Sequence, residues 1–277
     1  MRPMYIQELP LEGVLNVREL GGLPLRDGRM VSYGKLIRTG RLSEMTQEDK
    51  EKLSKQWNIT TIVDLRNDLE VAEHPDPQWE GVSYYQVPIF PGIASGISKE
   101  DGGAMTMEQK LLFLASRYSN GRASKLLNEM YPKMVREDFC VQGIRRFFEL
   151  LLEQGDGALI WHCTSGKDRT GLTGALLLYV LGADMDTIAE EYLHTNQQVR
   201  EYRENILEVL RRNQVEEETI QQVTILESVD LAYLENCWRA MTEEWGSVDA
   251  FLEKRLGLTQ DKQQRLKEKY TSLVEVV

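Results

Sequence analysis

Three stretches of the chain predict an α/β fold, with strands and helices alternating around a mostly parallel sheet. Ile59 to Leu65 is rich in β-branched residues and reads as a central strand ending at Asp64-Leu65-Arg66. Ala158-Leu159-Ile160-Trp161 is an apolar run of strand length. Leu172 to Leu181 is almost wholly apolar, long enough for a core helix and too short to span a bilayer. Only a tight loop separates the last two. Strands that alternate with helices form sheets covered on both faces, and ligands bind at the carboxyl ends of such strands.

The remaining elements follow in order. Between Asn16 and Arg38, Asp27-Gly28 is a two-residue hairpin signal joining strand-like pieces at Leu25 and Met30-Val31. Thr46 followed by Asp49 caps a helix that runs to Trp57. Asn67 to Pro77 is charged and holds two prolines, which predicts a loop. Val82 to Val87 reads as a second strand, and Pro91 to Gly103, bearing Gly and Ser, as a mobile loop. Met105 to Tyr118 and Lys125 to Met134 carry apolar residues at helical spacing. Val141, Ile144, Phe148 and Leu151 mark a further helix that ends before Gly155-Asp156-Gly157. After Leu181 everything to Val277 reads helical, with breaks near Gly182, Asn213, Gly246 and Gly257. There is no internal repeat. The expected organisation is one domain over 1–277, with a lid-like helical insertion at about 91–134 and a helical part at 184–277.

At 277 residues the chain is long enough to bury a core of its own. A net charge of −11 argues against a nucleic-acid or anionic-membrane surface, so an anionic substrate needs a local positive site. No apolar run is long enough for stable membrane insertion. Met1 to Pro10 lacks the basic start and apolar centre of a signal peptide. A cytoplasmic address is therefore expected, with export lacking a visible signal left open. Three cysteines, Cys140, Cys163 and Cys237, make neither a disulfide framework nor a metal cluster. With His74, His162 and His194 the only imidazoles, no metal and no cofactor are expected. Nothing in the sequence indicates an oligomeric state.

The loop between strand and helix carries the chemistry. In His162-Cys163-Thr164-Ser165-Gly166-Lys167-Asp168-Arg169-Thr170-Gly171, a thiol stands at the entrance and a guanidinium at the exit. Loop N–H groups gathered at a helix N-terminus form an anion site, and a thiolate at its lip is stabilised as a nucleophile. The planar fork of Arg169 suits two oxygens of a phosphoryl group. Gly166 lets the backbone turn sharply towards an anion. Thr170 is placed to hydrogen-bond the sulfur as it leaves, and His162 to orient it. The bland reading of Cys163, a small buried hydrophobe, does not account for this context. A nucleotide-binding loop fails because Asp follows Gly166-Lys167 and no upstream Gly stands at the required position.

Cys163-x5-Arg169 with Thr170-Gly171 resembles the signature of the cysteine-dependent phosphatases. The fuller run is similar to the bacterial tyrosine- and lipid-phosphatase family that includes the mycobacterial and listerial secreted enzymes. Asn16-Val17-Arg18-Glu19-Leu20-Gly21-Gly22 resembles that family's N-terminal motif, with Glu19 where Asp is usual. Arg38-Thr39-Gly40-Arg41-Leu42, Asp64-Leu65-Arg66, Tyr192-Leu193 with Asn196, and Tyr233-Leu234 through Val248 are similar to further family segments. The resemblance implies a protein-tyrosine-phosphatase-like fold and a phosphocysteine mechanism. Its substrates would be phosphorylated proteins or phosphoinositides.

Cleaving a P–O ester needs a general acid. The Trp-Pro-Asp pattern of many cysteine phosphatases is absent, and the resemblance assigns the role to Asp168, with Asp64 and Asp101 as alternatives. A purely structural Asp168, paired with its neighbour Arg169, is the competing reading. Lys167 is open between a contact to a second phosphate and a solvated charge. Asp64 and Arg66 read as a buried pair bracing the site. Rivals of another class are a rhodanese-like sulfurtransferase and a phosphate-binding module without activity.

Overall fold

The computed structural model describes residues 6–91, 106–118 and 121–273. Its first half runs β1 (Gln7–Glu8), β2 (Arg18–Glu19), β3 (Arg29–Val31), β4 (Leu36–Thr39), α1 (Gln47–Trp57), β5 (Ile59–Asp64), α2 (Asp68–Glu73) and β6 (Ser83–Gln86). Next come α3 (Met107–Tyr118), α4 (Arg122–Arg136), α5 (Asp138–Glu153), β7 (Ala158–His162), α6 (Asp168–Leu181), α7 (Met185–Leu193) and α8 (Thr195–Gln198). The chain closes with α9 (Arg200–Arg212), α10 (Glu217–Leu226), α11 (Leu231–Trp245), α12 (Val248–Lys254), α13 (Gln260–Tyr270) and β8 (Thr271–Leu273).

The main sheet has the order β1-β2-β4-β7-β5-β6. Its four strands β4, β7, β5 and β6 are parallel, and β1 and β2 join antiparallel at one side. The fold is thus α/β with a mostly parallel sheet, as predicted. Register decides where the site lies. Thr39 of β4 and Asp64 of β5 both pair with His162 of β7, so three strands end side by side where the catalytic loop begins.

Alternation along each strand separates two cores. Ala158 and Ile160 pack with Ile37, Ile62 and Leu53 of α1 on one face. Leu159 and Trp161 pack with Leu36, Val63, Phe147, Leu172 and Leu176 on the other, beneath α5 and α6. A smaller third cluster joins Ala115 of α3 to Leu207 and Leu210 of α9 and to Ile220 and Val223 of α10.

The hairpin at Asp27-Gly28, the Thr46 cap, the strands at Ile59 and Val82, and the helices of the insertion appear where the sequence puts them. Two expectations are corrected. Asn67 to Pro77 is not all loop, because Asn67 caps α2. Its Oδ1 accepts from the N–H groups of Leu69 and Glu70 at 3.0 Å each, and Glu70 Oε2 accepts from Asn67 N–H at 3.0 Å. This is a reciprocal capping box, and the prolines at 75 and 77 come after the helix has ended. The C-terminal part is not entirely helical either: Thr271–Leu273 pairs antiparallel with β3, from the far end of the chain. Three residues are too few for a strand period to show in the sequence. The predicted loop lies outside the described residues over 92–103, as does Asp101. No helix among the described residues is long and apolar enough to cross a membrane.

Candidate active site

The loop is held from behind by its carbonyl groups. Asn16 Nδ2 donates to Ser165 O at 3.0 Å and to Gly166 O at 2.9 Å. Arg38 Nη2 donates to Gly166 O at 2.8 Å, and Arg41 N–H to Thr164 O at 2.9 Å. Gly166 has φ +67°, and a Cβ there would lie 2.4 Å from Thr39 O, so both conformation and space require glycine. With the carbonyls taken, the N–H groups of 164–169 find no acceptor among the described residues. A run of unpaired donors at the start of α6 is an anion-binding arrangement.

Behind this lies a buried charge cluster. Glu191 of α7 meets Arg18 Nε and Arg38 Nη1, each at 2.7 Å, and all three side chains are at most 1% exposed. Arg18 also donates to Asn16 Oδ1 and, at 2.9 Å, to Thr195 Oγ1. Burial alone would raise the Glu191 carboxyl, but the two guanidinium groups outweigh it and bring it below its usual range. Arg18 is lowered to about 10 by burial and by the neighbouring Arg38. The N-terminal motif thus sets the shape of the loop through a chain of ion pairs, a role the sequence did not reveal.

Arg169 is already gripped. Its Nη1 lies 2.7 Å from Glu70 Oε2 and its Nη2 2.6 Å from Glu70 Oε1, a bidentate pair to which the Thr164 hydroxyl also donates. Burial pushes Glu70 up, yet Arg169 and Thr164 overcome it, so the carboxyl sits below its ordinary value. Arg169 is raised: burial opposes this, and Glu70 and the Cys163 sulfur outweigh it. Sequence reasoning missed Glu70. The signal that could have found it is the capping pattern Asn67-x-x-Glu70.

The other expected residues fall into place unevenly. Cys163 is 3% exposed, and its loop neighbours, not the sulfur, line the adjoining cavity. Asp168 opens α6, its Oδ1 accepting from Tyr131 OH at 2.8 Å. Lys167 is not a solvated charge: it is buried, donates to Leu226 O at the end of α10 and lines the cavity beside Asp168 and Arg169. His162 has Nδ1 3.1 Å from Cys163 O and Nε2 2.9 Å from Asp76 Oδ2, which fits an orienting role. The Thr170 hydroxyl is buried without a partner among the described residues.

Asp64 and Arg66 do form the buried pair expected of them, at 2.7 Å, and Arg66 also reaches Asp76 at 2.9 Å. Tyr84 OH donates to Asp64 Oδ2 at 2.6 Å. Asp64 is therefore engaged on both oxygens and is removed as an alternative acid. Burial raises its carboxyl, but His162 and Arg66 outweigh that and lower it. Asp64, Asp76 and His162 offer ligand atoms close enough for a metal. Arg66 spans both carboxylates, so a cation of the protein's own already serves them.

The loop faces a cavity of about 150 Å³. Glu70, Thr164, Ser165, Lys167, Asp168, Arg169 and Glu227 form its polar side. Phe90, Leu114 and Tyr118 of α3, Leu126 and Met130 of α4, and Leu226 of α10 form an apolar side. An anion site beside an apolar wall suits an aromatic phosphate ester.

Comparison with known proteins agrees. A profile described as the tyrosine phosphatase family matches residues 9–272. A Cupriavidus necator protein named, by inference, a tyrosine-protein phosphatase is 30% identical over 250 residues, covering 90% of this chain and 84% of that protein. The triple specificity protein phosphatase PtpB of Mycobacterium tuberculosis is 27% identical over 269 residues, covering 90% and 93%. Among solved structures, TpbA of P. aeruginosa superposes loosely, with a TM-score of 0.32 and 13% identity over 85% of this chain and 98% of that one. The match over almost the whole chain places the protein in the tyrosine phosphatase family, as a phosphoric monoester hydrolase.

Proposed function

We propose that the protein hydrolyses phosphate monoesters through a phosphocysteine intermediate at Cys163, with phosphotyrosine as its principal substrate. The observation that carries this reading is the row of unpaired N–H groups at 164–169, set against an apolar wall. The thiolate of Cys163 attacks phosphorus, forming an S–P bond as the P–O bond breaks. The departing oxygen takes a proton from Asp168. Water then attacks phosphorus, gives its proton to the Asp168 carboxylate, and releases phosphate and the thiolate.

Loop amides and Arg169 hold the phosphoryl oxygens and stabilise the charge that develops on them. Glu70 takes Nη1 and Nη2 of Arg169 and holds the guanidinium in a fixed plane, which leaves its Nε–H for the phosphoryl oxygens. Thr164, Ser165, Gly166 and Lys167 contribute through their amides. His162, Asp64 and Arg66 support the loop from the strand ends, and Thr170 closes it. These elements act as one phosphatase domain.

The wall of Phe90, Leu114, Tyr118, Leu126 and Met130 favours an aryl ester over an alkyl one. A relative named a triple specificity protein phosphatase supports a range wider than one ester class, and phosphoserine and phosphothreonine proteins and phosphoinositides are the further substrates we propose. The Lys167 ammonium gives one of its three hydrogens to Leu226 O and lines the cavity, so its charge stays beside the phosphate site.

The test is phosphate release from p-nitrophenyl phosphate in EDTA by the wild type and Cys163→Ser, beside thiocyanate formation from thiosulfate and cyanide. Metal-independent hydrolysis abolished by Cys163→Ser is expected. Thiocyanate formation without hydrolysis would establish the sulfurtransferase reading, and neither activity would leave a phosphate-binding module.

A further inference from the structure

Tyr131 is fully buried on α4, yet its hydroxyl touches two polar groups from other elements. It donates to Asp168 Oδ1 at 2.8 Å and lies 2.7 Å from Tyr192 OH on α7. Since its one proton goes to the carboxylate, the proton between the two phenols belongs to Tyr192. The chain of donors therefore runs one way, Tyr192 to Tyr131 to Asp168.

Tyr131 is itself held on other sides. Its ring lies 5.2 Å from that of Tyr233, and its carbonyl accepts from Cys237 Sγ at 3.1 Å, both groups on α11. Tyr192 packs against Gly171 in the first turns of α6, where a Cβ would come within 2.8 Å of its ring. A carboxylate at the start of an exposed helix turn has several rotamers open to it. Here one oxygen is tied down, Oδ2 makes no hydrogen bond among the described residues, and Asp168 lines the cavity.

We infer that Tyr131, supported by Tyr192, is a positioning residue that fixes Asp168 so that its second oxygen meets the leaving group. The inference rests on the reading of Asp168 as general acid. It goes beyond it in making the acid depend on α4. Adjacent residues of that helix do the two jobs: Met130 lines the cavity and Tyr131 holds the acid. Whatever seats an aryl ester against Met130 therefore does so at a set distance from the proton it needs. Neither phenol touches substrate or the reacting atoms.

The test compares kcat/KM for phenyl phosphate, whose leaving group needs a proton, with that for p-nitrophenyl phosphate, whose leaving group does not. In Tyr131→Phe the ratio of the first to the second should fall by up to about tenfold, the scale of one lost hydrogen bond to a neutral carboxyl group. In Tyr192→Phe it should fall less, in the same direction. A general loss of packing would lower both substrates alike and leave the ratio unchanged. If Tyr131→Phe does not fold, as judged by its thermal transition, Tyr192→Phe decides alone. Asp168→Asn is measured beside them. A drop in the ratio there with none in the tyrosine variants overturns this inference and leaves Asp168 as the acid. No drop in Asp168→Asn removes the acid reading, and this inference with it.

Discussion

The two sides of the cavity are built by different means. The loop side is braced by charges removed from water: Asn16, Arg18, Arg38 and Glu191 behind it, with Glu70 holding Arg169. The opposite side is apolar, from α3, α4 and α10, and α3 and α10 rest partly on a small cluster separate from the main core. Buried ion pairs tolerate almost no displacement, whereas apolar contacts slide at little cost. The difference teaches that the chemistry is fixed by the loop side and the choice of substrate by the wall.

The comparison breaks most readily at Glu191. Glu191→Ala leaves two buried guanidinium groups uncompensated, and about 3–5 kcal/mol of stability should be lost. Urea unfolding would show this, whereas Leu126→Ala at the partly buried wall should cost less. Equal losses would mean the two sides are not built differently.

Next is Glu70→Gln, which keeps the capping box but removes the charge facing Arg169. A hydrogen bond to a charged group is worth about 1.5–3 kcal/mol, so unfolding should lose about that much and kcat/KM should fall at least tenfold. A rise would show that the carboxylate competes with phosphate for the guanidinium.

At the wall, Met130→Ala removes apolar contact worth about 0.8 kcal/mol per buried methylene. It should reduce kcat/KM for phenyl phosphate several-fold and leave an alkyl phosphate nearly unchanged. A matching loss on both esters would assign the wall no part in selection.

The smallest effect sharpens the picture behind the loop. His162 is pushed down by burial, but Asp64 and Asp76 outweigh that and raise it above 6.5. Its stabilisation is complete below the unfolded value of about 6.5 and is lost as pH rises through the higher native value. The stability difference between wild type and His162→Gln should therefore shrink as pH rises above about 6.5. A difference that grows with pH would contradict the charged form.

How far this was legible in the sequence depends on distance along the chain. The strand, loop and helix from Ala158 to Leu181 are contiguous, so apolar runs and one motif were enough to place Cys163, Asp168 and Arg169 at a strand's end. The capping box at Asn67 and Glu70 was equally local but was masked by charge and by the prolines that follow. Tyr131 lies 37 residues before Asp168, and Glu191 lies 173 after Arg18; no periodicity links such pairs. Lys167 stays open between a phosphate contact and a solvated charge in the sequence because the carbonyl it meets, on Leu226, comes from an element whose placement only folding decides.

Rapid acid quenching of the enzyme during turnover of p-nitrophenyl phosphate, followed by intact mass and peptide mapping, addresses the phosphocysteine directly. The account predicts one added phosphoryl group on the peptide bearing Cys163, absent in Cys163→Ser. Turnover with no phosphoryl group on the protein, or with one on a different residue, would contradict it.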